Sequence, residues 1–441
     1  MAKIIVTAKD TAYRLSPVSA NLLVPQGKPV LKLVLNPKAT FQKILGFGGA
    51  FTESACYNLY RVGKETREKA LRLYFDPEEG IGYSIGRVSI HGCDFSLSSY
   101  TYIQEGDAEL KTFDIARDRT YVIPIIRRAE EIAGKKISLL ASPWTPPAFM
   151  KDNNSPLRGG HLLEKFADAW ARYFLRFIQE YRKEKLTIWG VSVQNEPAAV
   201  QRWDSCIYSP EQERDFVKNH LGPILKNSDA KDVNILVWDH NRDIIVERVT
   251  PIYQDKEASQ YIWGTAFHWY VSEAFENVGK VHNLFPDKGL LFTEGCVEGG
   301  VKIDAWHTGE RYAFNMIGDL NNFCEGYIDW NLWLDTYGGP NHVNNLCDAP
   351  ILIDIFPEKL VLESSYYYIG QISKYVKPGA LRIASLGNHA NLQTVAFQNP
   401  SGEIVVILLN KSAEAVAVEV AGAKEKVQVT SLARSITTVL I

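Results

Sequence analysis

Two glutamates stand out by their surroundings. Glu196 sits in VSVQNEP, where an alternating apolar run delivers Gln194, Asn195 and Glu196 and is stopped by Pro197. Glu294 sits in LLFTEGC, where a second apolar run ends in a carboxylate followed by glycine. Two carboxyl groups facing one cleft can hydrolyse a glycosidic bond: one protonates the leaving oxygen, the other attacks the sugar carbon. Like charges about 5 Å apart disfavour double ionisation, so one group keeps its proton as acid while the other stays anionic as nucleophile. Asn195, beside Glu196, has the chemistry to hydrogen-bond the sugar 2-hydroxyl, a contact that strengthens in the transition state. One glutamate at a strand end is ordinarily a surface residue; two at corresponding positions carry the argument.

Such a pair must be positioned. Short apolar runs at 44–51, 83–90, 137–144, 187–194, 233–239, 261–270, 289–295 and 326–333 predict eight strands. Helical patterns lie between several of them. Leu163, Phe166, Trp170, Tyr173, Phe177 and Tyr181 recur at three- and four-residue spacing, one apolar helix face. Ser209, Pro210 and Gln212 read as a helix start with a capping box. Alternation of this kind predicts an α/β chain folded as a (β/α)8 TIM barrel, whose active site lies at the C-terminal ends of the strands. Glu196 and Glu294 would close strands four and seven, on opposite walls of one cleft.

The chain ends follow a different period. Val416, Val418 and Val420 alternate strictly, Val427 and Val429 follow, and EIVVILL and ITTVLI flank them, a series of short antiparallel strands. PVLKLVLN at 29–36 is also strand-like. The expected organisation is N-terminal strands at 1–38, a catalytic barrel at 39–375 and C-terminal strands at 376–441, the two ends together building a side β-sandwich.

Composition excludes other classes. The 441 residues are 46% hydrophobic and 22% charged, enough for a large core. Net charge is −3 without a long basic run, which argues against a nucleic-acid partner. The six cysteines show no CxxC pair and no Cys/His ligand spacing, so no structural zinc is expected, and disulfides and buried thiols both stay open. Two carboxyls supply acid and nucleophile, so no cofactor and no metal is expected. A metal-dependent hydrolase would need more ligands than His268 and Asp239. No run of about 18 apolar residues suggests a membrane span. MAKIIVTAKDTAYRLSP lacks the apolar core of a secretory signal, so the sequence as written is expected to be cytoplasmic, or secreted if a leader was removed. Oligomeric state is left open.

Longer stretches add a resemblance. GFGGAFTESA, GCDFSLSSYTY, LLASPWTPPAFMK, VSVQNEP, FHWY, FTEGCV and DWNLWLDTYGGPNHV, in this order, resemble glycoside hydrolase family 30, the glucosylceramidase-like family. The resemblance runs from about Gln42 to the C-terminus and sits nearest the bacterial β-glucosidase and β-xylosidase branch. It implies a barrel with a side sandwich and a retaining mechanism. Glu196 would be the general acid/base and Glu294 the nucleophile. Asn195 would orient the 2-hydroxyl and Asp94 would hold hydroxyls at the far side of the glycone. Trp144 and Trp330 would wall the same sugar, although plain core is their default reading without the resemblance. Tyr270 and His268 would lie near the nucleophile, with Arg87 a buried support. Asp239 and His240 are weaker candidates for the cleft rim, and Cys296 reads as packing. The implied partner is a β-linked glycoside or oligosaccharide, and the implied activity an exo-acting β-glucosidase. Alternatives are β-xylosidase, β-1,6-glucanase or glucosylceramidase by the same chemistry, and a non-catalytic carbohydrate-binding protein on the same fold.

Overall fold

The computed structural model describes residues 2–19, 23, 29–422 and 425–441. Its centre is a closed barrel of eight parallel strands. They are β1 (Gly46–Ala50), β2 (Ile85–Ile90), β3 (Ser138–Pro143), β4 (Ile188–Ser192), β5 (Asn234–Asn241), β6 (Ile262–His268), β7 (Gly289–Glu294) and β8 (Gly326–Asn331). β8 pairs with β1 to close the ring. Each falls on one of the eight apolar runs. β1 is glycine-rich because the neighbouring strand comes close: a Cβ at Gly48 would lie 1.8 Å from the Ile85 carbonyl oxygen.

The helix after β3 shows how the outer layer is held. It spans Ala167–Lys183 and buries Trp170, Tyr173, Phe177 and Tyr181 against the barrel. Leu163 and Phe166, expected on the same face, precede it: Leu163 caps a short 3-10 turn and Phe166 ends it. The helix Pro210–Phe216 begins with the expected capping box on Ser209 and Gln212.

Beside the barrel, nine strands from both chain ends form one continuous hydrogen-bonded series. Lys3–Ala8 pairs with Ser435–Leu440, and Leu31–Lys43 pairs with both Leu381–Leu386 and Val416–Ala421. The series folds over a core of its own, in which Val6, Leu33, Val406, Val418, Val429 and Val439 pack together: a β-sandwich. No helix among the described residues is long and apolar enough to cross a membrane.

Candidate active site

The strand ends of the barrel converge on one buried polar cluster. Arg87 on β2 is fully buried; its Nε donates to Ser142 Oγ at 3.1 Å and its two terminal nitrogens fork to three further partners. Its Nη1 donates to Glu294 Oε2 at 2.5 Å; its Nη2 donates to Asn195 Oδ1 and Asp239 Oδ2, both at 2.8 Å. Because Asn195 gives its oxygen to Arg87, its Nδ2 is left as a donor.

Asp239 lies beneath the two glutamates. It accepts from Arg87, Ser142, Ser192, Thr293 and His268. These donors and the Arg87 and His268 charges outweigh burial and hold it well below the usual carboxylate range. Asp239 was expected at the rim; instead it is fully buried on the floor. The reason is local. Trp238 and Asp239 both take left-handed backbone, φ 76° and 51°, and the register against β6 slips there, so the chain turns the carboxylate inward. His240 lines the cleft as expected.

Glu196 lies in the loop beyond β4, which ends at Ser192 rather than at Gln194. Its backbone is left-handed, φ 49°, an uncommon state for a non-glycine residue before proline. Three bonds hold this turn: Asn195 N–H to the Pro143 carbonyl, Glu196 N–H to the Asp239 carbonyl, and Gln194 Nε2 to the Trp144 carbonyl. The amide–amide–carboxylate order before Pro197 thus has a job for each residue. Gln194 anchors the turn, Asn195 docks on Arg87, and Glu196 enters the cleft.

His268 ends β6 between two carboxylates, Nε2 at 3.1 Å from Asp239 Oδ1 and Nδ1 at 3.3 Å from Glu196 Oε1. Burial alone would lower its pKa, but Glu294, Asp239 and Glu196 together raise it to about 9. Tyr270 donates its hydroxyl to Glu294 Oε1 at 2.9 Å. One carboxylate oxygen each of Glu196 and Glu294 and one nitrogen of His268 lie within 4.8 Å of one another.

The two glutamates differ in their surroundings. Burial raises Glu294, and the Glu196 charge adds to this against His268 and Arg87. For Glu196, burial is outweighed by the His268 hydrogen bond and by the His240 and His268 charges, which lower it.

Beyond the carboxyls the cleft, about 700 Å³ including its mouth, is walled by Trp144 and Trp330. The two rings stack on each other at 5.3 Å, with the Arg87 guanidinium over both. Asp94 accepts from Asn345 Nδ2 at 2.9 Å, while its other oxygen is buried without a partner. Burial and the Glu294 charge push its pKa up to about 7. The nine residues to which the resemblance gave roles all gather here. The resemblance said nothing of Gln201, Trp203 and Asn345, which also line the cleft. They sit on loops after β4 and β8, where no periodicity marks them.

A model of the glycosyl hydrolase family 30 TIM-barrel domain matches residues 44–376, and one of that family's β-sandwich domain matches residues 379–439. The chain belongs to glycosyl hydrolase family 30. It is a glycosidase, and its relatives support a β-glycosidase. It is 36% identical over 403 residues to mouse lysosomal acid glucosylceramidase, covering 87% of this chain and 78% of the relative. The crystal structure of SrfJ from Salmonella typhimurium superposes with a TM-score of 0.93 at 34% identity, over 100% of this chain and 99% of that one. The structure of an endo-β1,6-glucanase superposes with a TM-score of 0.89 at 31% identity, over 100% of this chain and 98% of that one. Family 30 membership thus accounts for the barrel, the sandwich and a glycoside as substrate.

Proposed function

We propose that this family 30 chain is a retaining exo-β-glucosidase. The observation that carries the reading is the approach of Glu196 and Glu294, with carboxylate oxygens within 4.8 Å. Retaining enzymes hold their two carboxyls about 5–5.5 Å apart, whereas inverting enzymes leave room for a water at about 6.5–9.5 Å. In this reading Glu294 attacks the anomeric carbon. Arg87 and Tyr270 grip its two oxygens and aim it. Glu196 has looser contacts, His268 at 3.3 Å and Gln201 at 3.5 Å, and delivers its proton to the leaving oxygen.

For this chemistry Glu294 is anionic and Glu196 carries the proton when the sugar is bound. Positive charge develops at the anomeric carbon over Glu294 and stabilises its anionic form. Once Glu294 becomes an ester its charge is gone, so nothing electrostatic remains to prevent Glu196 from ionising. Glu196 then takes a proton from the attacking water. Asp94, Asn345, Trp144 and Trp330 hold the glycone, and Asn195 Nδ2 meets the 2-hydroxyl.

Exo action is supported by straps across the glycone end. Arg202 Nη2 reaches the Asn344 carbonyl at 2.9 Å, Ser99 bonds Asp204 at 2.6 Å, and Asn345 bonds Asp94. The loops after β2, β4 and β8 therefore meet at that end, which favours a short glycone pocket. A second reading, cleavage of β-1,6-glucan, is favoured by the structural likeness to the endo-β1,6-glucanase. Initial rates on aryl β-glucoside, β-xyloside, β-galactoside and β-fucoside, on glucosylceramide and on a β-1,6-glucan test both. A dominant aryl glucoside rate supports exo-glucosidase action. Rapid release of oligosaccharides from the polymer, with slow aryl glucoside cleavage, replaces it with the second reading.

A further inference from the structure

Two of the six free cysteines stand apart. Cys56, Cys206 and Cys324 are fully buried elsewhere in the barrel and Cys93 is fully buried behind the cleft wall, whereas Cys296 and Cys347 line the cleft. Cys296 Sγ lies 3.5 Å from the Tyr270 hydroxyl, and Cys347, packed in the same cluster, turns its thiol to the Asn345 carbonyl at 3.9 Å. Their backbones are already joined. Asp348 N–H donates to the Val297 carbonyl, Gly300 N–H donates to the Leu346 carbonyl, both at 2.9 Å, and Glu298 and Cys347 form an antiparallel bridge. The bridge sets Cys347 opposite Glu298, so Cys296, two residues earlier on the same side, is its diagonal neighbour.

We propose that Cys296 and Cys347 are a modification site: a dithiol that peroxide entering the cleft converts to a disulfide, switching the glycosidase off. One thiolate attacks an oxygen of hydrogen peroxide, giving a sulfenic acid and releasing hydroxide. The second thiol attacks the sulfenic sulfur and expels water. Two thiols and one peroxide become one disulfide and two waters, so electrons and atoms balance. The neighbouring Cys347 thiol and burial hold Cys296 well above the usual thiol range, so the reaction quickens as pH rises. The consequence for turnover follows from position. Cys296 sits two residues after Glu294 and touches Tyr270, which holds Glu294. Cys347 sits two residues after Asn345, which holds Asp94. A bond between the sulfurs withdraws the Cys296 thiol from Tyr270 and ties the nucleophile segment to the loop gripping the glycone.

The test treats the intact enzyme with hydrogen peroxide and reads two things. Peptide mapping shows whether a Cys296–Cys347 link forms, independently of any assigned substrate. The rate on a cleaved aryl glycoside is followed before treatment, after it, and after dithiothreitol. The expected result is the linked peptide, a loss of rate of tenfold or more, and recovery with dithiothreitol. Cys347→Ser, compared with its own untreated rate, should lose less than twofold. Absence of the link, a link that leaves the rate unchanged, or loss that dithiothreitol does not reverse would overturn the proposal.

Discussion

Arg87 Nη1 stands 2.5 Å from Glu294 Oε2, the closest charged contact in the cleft, with both side chains almost out of water. The same guanidinium holds Asp239 and Asn195, so one residue on β2 ties β5, β7 and the loop after β4 together at the functional end of the barrel.

Removing it should therefore cost stability as well as rate. Arg87→Met leaves Asp239 and Glu294 buried without their cation, and unfolding should become easier by about 3–5 kcal/mol. Arg87→Lys keeps charge but cannot fork to three partners, and should recover only part. Denaturant unfolding of the three proteins measures this. Equal stability of wild type and Arg87→Met would contradict the role given to Arg87.

The two glutamates should separate by leaving group. Glu196→Gln is expected to slow cleavage of a poor leaving group by roughly 10²–10⁴-fold, because the departing oxygen then needs a proton it does not receive. The first step with an activated aryl leaving group should lose far less. Pre-steady-state bursts on two aryl glycosides differing in leaving-group pKa read the difference. Equal losses on both would remove Glu196 from the acid role.

His268 makes stability pH-dependent with a definite sign. Its pKa is raised from 6.5 to about 9 in the folded chain. The folded state thus holds its proton more tightly than the unfolded state does. That contribution is complete below about pH 6.5 and is lost as pH rises through about 9. Melting temperatures from pH 6 to 10 should fall for the wild type across this window. For His268→Asn that fall should be markedly shallower. Parallel curves would show that His268 is not the cation bridging Glu196 and Asp239.

Glu213 positions the site without touching it. Its buried Oε1 accepts the Trp238 N–H at 2.8 Å, and Trp238 leads into the left-handed Asp239, whose carbonyl receives the Glu196 N–H. Glu213→Ala leaves a buried donor unpaired, costing about 1–3 kcal/mol. It should also lower kcat by up to about 10²-fold through misplaced carboxyls. KM should change little, and Glu213→Gln, which keeps the acceptor, should restore most of kcat. A change confined to KM would refute this chain of contacts.

The barrel was legible because each of its strands is a short apolar run ended by polar residues, and the sandwich because Val416, Val418 and Val420 alternate. The converging residues were legible through the strand-end rule and the family-like stretches around them. Asp239 was misplaced at the rim because nothing in VWDHN announces two consecutive left-handed residues: neither Trp238 nor Asp239 is glycine. Glu196 was read as closing its strand, yet the strand stops at Ser192 and a turn held by Pro143, Trp144 and Asp239 carries the glutamate inward. Gln201, Trp203 and Asn345 escaped notice because loop paths follow tertiary contacts such as Arg202 to Asn344, not a period.

The most direct measurement is covalent trapping. A 2-deoxy-2-fluoro-β-glucoside with an activated leaving group slows hydrolysis of the glycosyl ester more than its formation, so the intermediate accumulates. Digestion and mass spectrometry should place the fluorosugar on Glu294, in the peptide containing LLFTEGC, with none on Glu196. An adduct on Glu196, or turnover with no adduct and an inverted first-formed sugar, would contradict the account.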